Sequence, residues 1–235
     1  MITAILVDGG YYRKIALKKF SEKTTKDCAD KLITYCHRHL NQKINGNSIS
    51  NDLYRIFYYD CPPIDTVVYH PLTKKNVFFK KTEQYQWMNE FLNELTKKRK
   101  VALRLGTLSE TELHYNLKAD TTKKLLENKV QLSELREEDF QLQIRQKGVD
   151  MKIGVDIASL SYKKQVNQII LIAGDSDFVP ASKLARREGI DFVLDPLGRK
   201  IKSDLFEHID GLQVRDNLLK NTYSTHNKKN FSNSK

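Results

Sequence analysis

Apolar residues in this chain fall into short unbroken runs and longer helical stripes, and several of the runs end on an acid. Residues 2–7 are closed by Asp8-Gly9-Gly10, and Ile169-Ile170-Leu171-Ile172-Ala173 is closed by Gly174-Asp175-Ser176-Asp177. Runs of this length bounded by turn residues fit strands buried on both faces of a parallel sheet. Residues 53–59, rich in aromatic and β-branched side chains, end at Asp60-Cys61-Pro62-Pro63. Residues 101–105 stop at Gly106, and residues 190–194 at Asp195-Pro196. Five strands are therefore expected.

The stripes lie between them. Residues 11–20 predict a basic helix. Residues 25–40 predict a longer one, capped by Thr24 or Thr25, with Cys28, Leu32, Tyr35, Cys36 and Leu40 on one side. Trp87, Phe91 and Leu95 mark the inner face of a helix over 84–99. Another helix follows Gly148 and runs to about 164, one starts at Pro180, and a short one covers 203–210. At 100° per residue Asp150 shares an inward face with Ile153, Ile157 and Leu160, whereas Asp156 falls opposite, with Lys152 as its expected partner. His37 and His39 are assigned to a helix surface. Residues 41–51 and 64–82 read as loops, the second carrying the basic turn Thr73-Lys74-Lys75-Asn76 and the pair Lys80-Lys81.

Residues 107–146 read as a hydrophilic insert with a short helix near 121–128 and a strand near 140–145. Strands alternating with helices predict an α/β fold with a parallel sheet and right-handed crossovers, in one domain over 1–216. The Asn-, Ser-, Thr- and Lys-rich tail 217–235 is expected to be disordered, since it cannot bury a core.

Charge narrows the partner. With 40 Lys and Arg against 29 Asp and Glu, the 235-residue chain carries +11 and a pI near 9.4, which points to an anion, best a nucleic acid. A membrane is not expected: no run approaches the roughly 18 apolar residues of a spanning helix, and the N-terminal strand lacks the flank and cleavage site of a signal peptide. Three cysteines without a C-x-x-C pair suggest neither disulfides nor zinc, and a reducing cytoplasm is the expected compartment. A homodimer is left open.

A single Asp after a strand is usually a turn former or helix cap. Four that converge are a different matter. Asp8, Asp150, Asp175 and Asp177 come from two buried strands and one inward helix face, and hard oxygen donors without His or Cys suit Mg2+ or Mn2+. Such a site hydrolyses phosphodiesters without a protein nucleophile. Asp60 and Asp156 are second-tier ligands. Lys147 and Arg13, beside these acids in sequence, are expected to grip phosphate, with Ser176 in the same role. Tyr11 and Tyr12 are expected either to stack on unpaired bases or to pack a helix start on the sheet edge. A phosphotransferase with an aspartyl nucleophile would need Asp-x-Asp on the first strand, which Asp8-Gly9-Gly10 lacks. DNA cleavage by the same chemistry stays open.

Three segments carry a family resemblance: Ile5-Leu6-Val7-Asp8-Gly9-Gly10, Lys147-Gly148-Val149-Asp150 with Asp156 following, and Gly174-Asp175-Ser176-Asp177-Phe178. They resemble the signatures of the NYN domain, in its LabA-like branch, within the PIN-like nuclease superfamily. The resemblance spans about residues 2–198. It implies a Rossmann-like α/β/α sandwich with a central, mostly parallel sheet and a metal-dependent ribonuclease whose metal-binding acids map onto Asp8, Asp150, Asp175 and Asp177. It also places an acid at Asp156. Where many members carry Asn three residues after the first Asp, this chain has Tyr11. The rival expectation is an RNA-binding or regulatory module of the same fold with little or no catalysis.

Overall fold

The computed structural model describes residues 1–44, 47–109 and 113–220. The predicted tail beyond residue 220 lies outside them. Six parallel strands form the main sheet: β1 (Ile2–Asp8), β2 (Asp52–Asp60), β3 (Val101–Leu105), β4 (Gln168–Ile172), β5 (Asp191–Asp195) and β6 (Gly211–Leu212). Their order is β6-β5-β4-β1-β2-β3. This is the doubly wound arrangement, in which the chain starts at the centre and builds outward in both directions. All five residues of β4 are buried, as are residues 3–7 of β1, which explains why both read as continuous apolar runs. The fold is therefore the α/β sandwich expected from the sequence.

Seven α-helices are described: α1 (Gly9–Tyr12), α2 (Thr25–Leu40), α3 (Glu83–Thr96), α4 (Ala119–Leu126), α5 (Val149–Tyr162), α6 (Val179–Arg187) and α7 (Ser203–Phe206). Neighbouring residues of β2 show the two faces. Tyr58 packs edge-on against Phe91 of α3, with centroids 5.9 Å apart. Tyr59 points the other way and donates its hydroxyl to Asp156 of α5 at 2.8 Å. At the amino ends of the strands, buried Asn51 donates to Thr3 and Gln168, so the polar groups there are paired. No described helix is long and apolar enough to cross a membrane.

The chain divides into two compact units. The main unit holds the sheet and takes residues 1–60, 91–105 and 148 onward; the second takes 61–90 and 106–147. Within the second, the stretch expected to be a loop forms an antiparallel hairpin of Val67–His70 and Lys75–Phe78. A further antiparallel pair joins His114–Leu117 to Phe140–Gln143, and Thr107–Leu108 pairs with Gln146–Lys147.

Three further local expectations change. Asn41–Ile44 and Asn47–Ser50 pair as antiparallel strands where a polar loop was expected. The predicted helix over 11–20 becomes the short α1 followed by a π-helical turn, Arg13–Leu17. Residues 217–220, assigned by sequence to the tail, form a helical turn that buries Leu219.

Candidate functional site

In a doubly wound sheet the loops leaving the two central strands run to opposite sides, and a crevice opens between them. Here those strands are β1 and β4, paired in register from Thr3 with Gln168 to Val7 with Ile172. Asp8 and the Gly174-Asp175 turn therefore emerge at the same end of the sheet. Asp8 is the last residue of β1 and the N-cap of α1; its Oδ1 accepts the Tyr11 N–H at 3.0 Å. Asp175 caps a single 3-10 turn, Ser176–Phe178, its Oδ1 accepting the Asp177 N–H at 3.1 Å. Buried Phe178 anchors that turn, leaving Asp175 and Asp177 exposed. Asp150 stands exposed in the first turn of α5, above the buried Ile153 and Ile157.

The acids feel one another. Burial pushes the Asp8 carboxyl up to about 6; the Tyr11 amide opposes this, and the charges of Asp150 and Asp60 add to it. The Asp150 carboxyl is also raised, first by burial and then by Asp175 and Asp177. None of the four has an ion-pair partner among the described residues. Crowded hard-oxygen donors whose charges are left unneutralised are the donor chemistry a divalent cation fits. Yet among the described residues no three His, Cys, Asp or Glu side chains stand together as a ready-made ion cage.

Glycines make the close approaches at this crevice. A Cβ on Gly9 would lie 2.5 to 2.6 Å from Tyr58 and Asp60, and one on Gly174 equally close to the Tyr11 ring. Tyr11 crosses from β1 over Gly174 and donates its hydroxyl to the Pro196 carbonyl at 2.8 Å. It thus braces three strand ends. Gly174→Ala is expected to lower stability by about 1 to 3 kcal/mol through overpacking, a loss that should shrink when Tyr11 is also cut to Ala. Equal losses in both backgrounds, by denaturant titration, would show that the ring is not the obstacle.

The second-tier acids are otherwise engaged. Asp60 is buried and held by Arg13 through two hydrogen bonds of 2.9 Å, with the Tyr58 hydroxyl at 3.0 Å. Asp156 accepts from Arg104 at 3.0 Å and from Tyr59, not from Lys152. The expected Lys152 pairing fails because α5 turns Asp156 toward the strand ends of β2 and β3. Of the residues expected to touch nucleic acid, Arg13 is committed to Asp60, and Tyr12 is fully buried, where no base can reach it. Tyr11 is a brace. Lys147 is exposed and lies in the second unit, while the Ser176 hydroxyl accepts from Lys202 at 3.1 Å.

One polar cluster was missed by sequence. Asp195, at the carboxyl end of β5, is buried and receives hydrogen bonds from His39 Nε2 at 2.8 Å, the Tyr35 hydroxyl and the Leu197 amide. His39 is buried, not on a helix surface. The signal was present: at 100° per residue it falls about 20° from Cys28, at the centre of the apolar stripe.

A family model described as the NYN domain matches residues 70–205, more than half of the chain. The match includes Asp150, Asp175 and Asp177; Asp8 lies upstream of it. No curated protein matches. A solved structure from Vibrio parahaemolyticus, described as a protein of unknown function, is similar at 14% identity over 92% of this chain and 94% of its own, with a TM-score of 0.45.

Proposed function

Because the chain belongs to the NYN domain family, within the PIN-like nucleases, we propose that it is a divalent-metal-dependent ribonuclease, an endoribonuclease of the LabA-like branch. The observation that carries this reading is the set of mutually repelling carboxylates, Asp8, Asp150, Asp175 and Asp177, at the switch point of the sheet. Asp8, Asp150 and Asp175 would hold Mg2+ or Mn2+, with Asp177 as a further ligand or as the base that orients the attacking water. A bound ion would supply an activated water and stabilise the leaving oxygen. The chain's own part is to fix these oxygens on strand ends and a helix start, and Ser176 beside Asp175 would meet a substrate phosphate. The rival, an RNA-binding module with little catalysis, draws support from the acids not forming a ready-made cage.

Cleavage of a labelled single-stranded RNA and its DNA counterpart, with Mn2+, Mg2+ or EDTA, separates the two. Asp175→Asn keeps the shape and removes a charge, so RNA cleavage is expected to fall by about a hundredfold or more. Binding without cleavage by both proteins would favour the rival. Equal cleavage by both would remove Asp175 from the site.

A further inference from the structure

We propose that the outward face of the hairpin over 67–78 is a stacking platform for single-stranded RNA; the choice of RNA rests on the ribonuclease reading above. The first strand of the hairpin alternates strictly. Val68 and His70 are buried, and the His70 ring lies 4.4 Å from that of Tyr115 and 5.2 Å from that of Phe140. That contact fixes which face points out. Val67, Tyr69 and Phe78 are 49, 55 and 50% exposed, and Val67 sits directly across from Phe78. Tyr69, paired with Asn76, is diagonal to Phe78, about 7 to 8 Å away for such positions. Scattered exposed apolar residues are ordinary, but three together on one face of a two-stranded hairpin mark a contact surface.

Charge decides the occupant. Lys74 lies in the turn, Lys75 opens the second strand across from His70, and Lys80 and Lys81 follow Phe78; all four are exposed. Lys81 Nζ stands 5.2 Å over the Phe78 ring. An apolar protein partner would have to desolvate these ammonium groups. A single strand uses both features, its bases stacking on the rings and its phosphates pairing with the lysines.

The test reads binding apart from cleavage. A fluorescent oligouridylate is titrated in EDTA with Asp175→Asn protein, with and without Tyr69→Ala and Phe78→Ala. Loss of both rings is expected to weaken binding about tenfold or more, and Trp at both positions to preserve it. Ala at all four lysines should reduce the slope of log K against log salt by about 2 to 3. Unchanged affinity in the Ala pair, or no binding at low salt, overturns the platform. So does a dimer in light scattering that the Ala pair abolishes while RNA binding persists, which would assign the face to a second copy. Cleavage by the native chain with Mn2+ is measured separately: its absence alongside ring-dependent binding sinks only the nuclease reading.

Discussion

Asp8→Asn is expected to give a protein that is harder to unfold and does not cut RNA. Burial holds the Asp8 carboxyl at about 6 against 3.8 in an unfolded chain. An acid raised in this way keeps its proton in the fold where the unfolded chain releases it, so the fold loses stability as pH climbs from about 4 to about 6. Above that the penalty is constant, on the order of 3 kcal/mol at 1.36 kcal/mol per pH unit. Asn cannot ionise, and its carbonyl oxygen can still accept the Tyr11 amide. Denaturant titrations should therefore show a gain of about 2 to 3 kcal/mol at pH 8 that fades toward zero near pH 4. In the native chain, cleavage at subsaturating cation should rise through about pH 6 as Asp8 ionises, and the variant should lack that activity. A variant as stable as the native chain at pH 8 would mean that Asp8 carries no burial penalty.

Arg13→Ala is expected to act in the opposite direction, costing about 3 to 5 kcal/mol. The Asp60 side chain is 0% exposed, and Arg13 supplies two of its hydrogen bonds. Without the guanidinium the buried carboxylate loses its cationic partner and two hydrogen bonds, while the Tyr58 hydroxyl still donates to it. Removing both charges with Arg13→Met and Asp60→Asn should recover much of the loss, because the penalty comes from the orphaned partner. A double-mutant cycle read by urea unfolding gives the coupling. Coupling below about 1 kcal/mol would make this an ordinary surface pair.

Five of the six strands of the main sheet were legible, most plainly where burial on both faces leaves only apolar residues, as from Ile169 to Ile172; the two-residue β6 is too short to carry a pattern. The strands at 41–44 and 47–50 were hidden because polar side chains dominate there, and those within 67–78 because each is only four residues long and Thr73-Lys74-Lys75-Asn76 looks like any solvated turn. The acids proposed for the site were read from the sequence as two strand ends and one helix start. Their engagement was not: whether Asp60 or Asp156 is free depends on Arg13 and Arg104, which lie 47 and 52 residues away in sequence. Tyr12 had two readings, and packing against Tyr35, 6.4 Å away, decides for the core.

The Tyr11 brace also constrains how this sequence can change over generations. Tyr11 occupies the space that any side chain at residue 174 would need, so the two positions cannot drift independently. Their changes have an order. A lineage can shrink residue 11 first and tolerate the lost hydroxyl contact at Pro196, after which residue 174 is released from being glycine. The reverse path passes first through a clash beside the acids of the switch point, at the overpacking cost of about 1 to 3 kcal/mol.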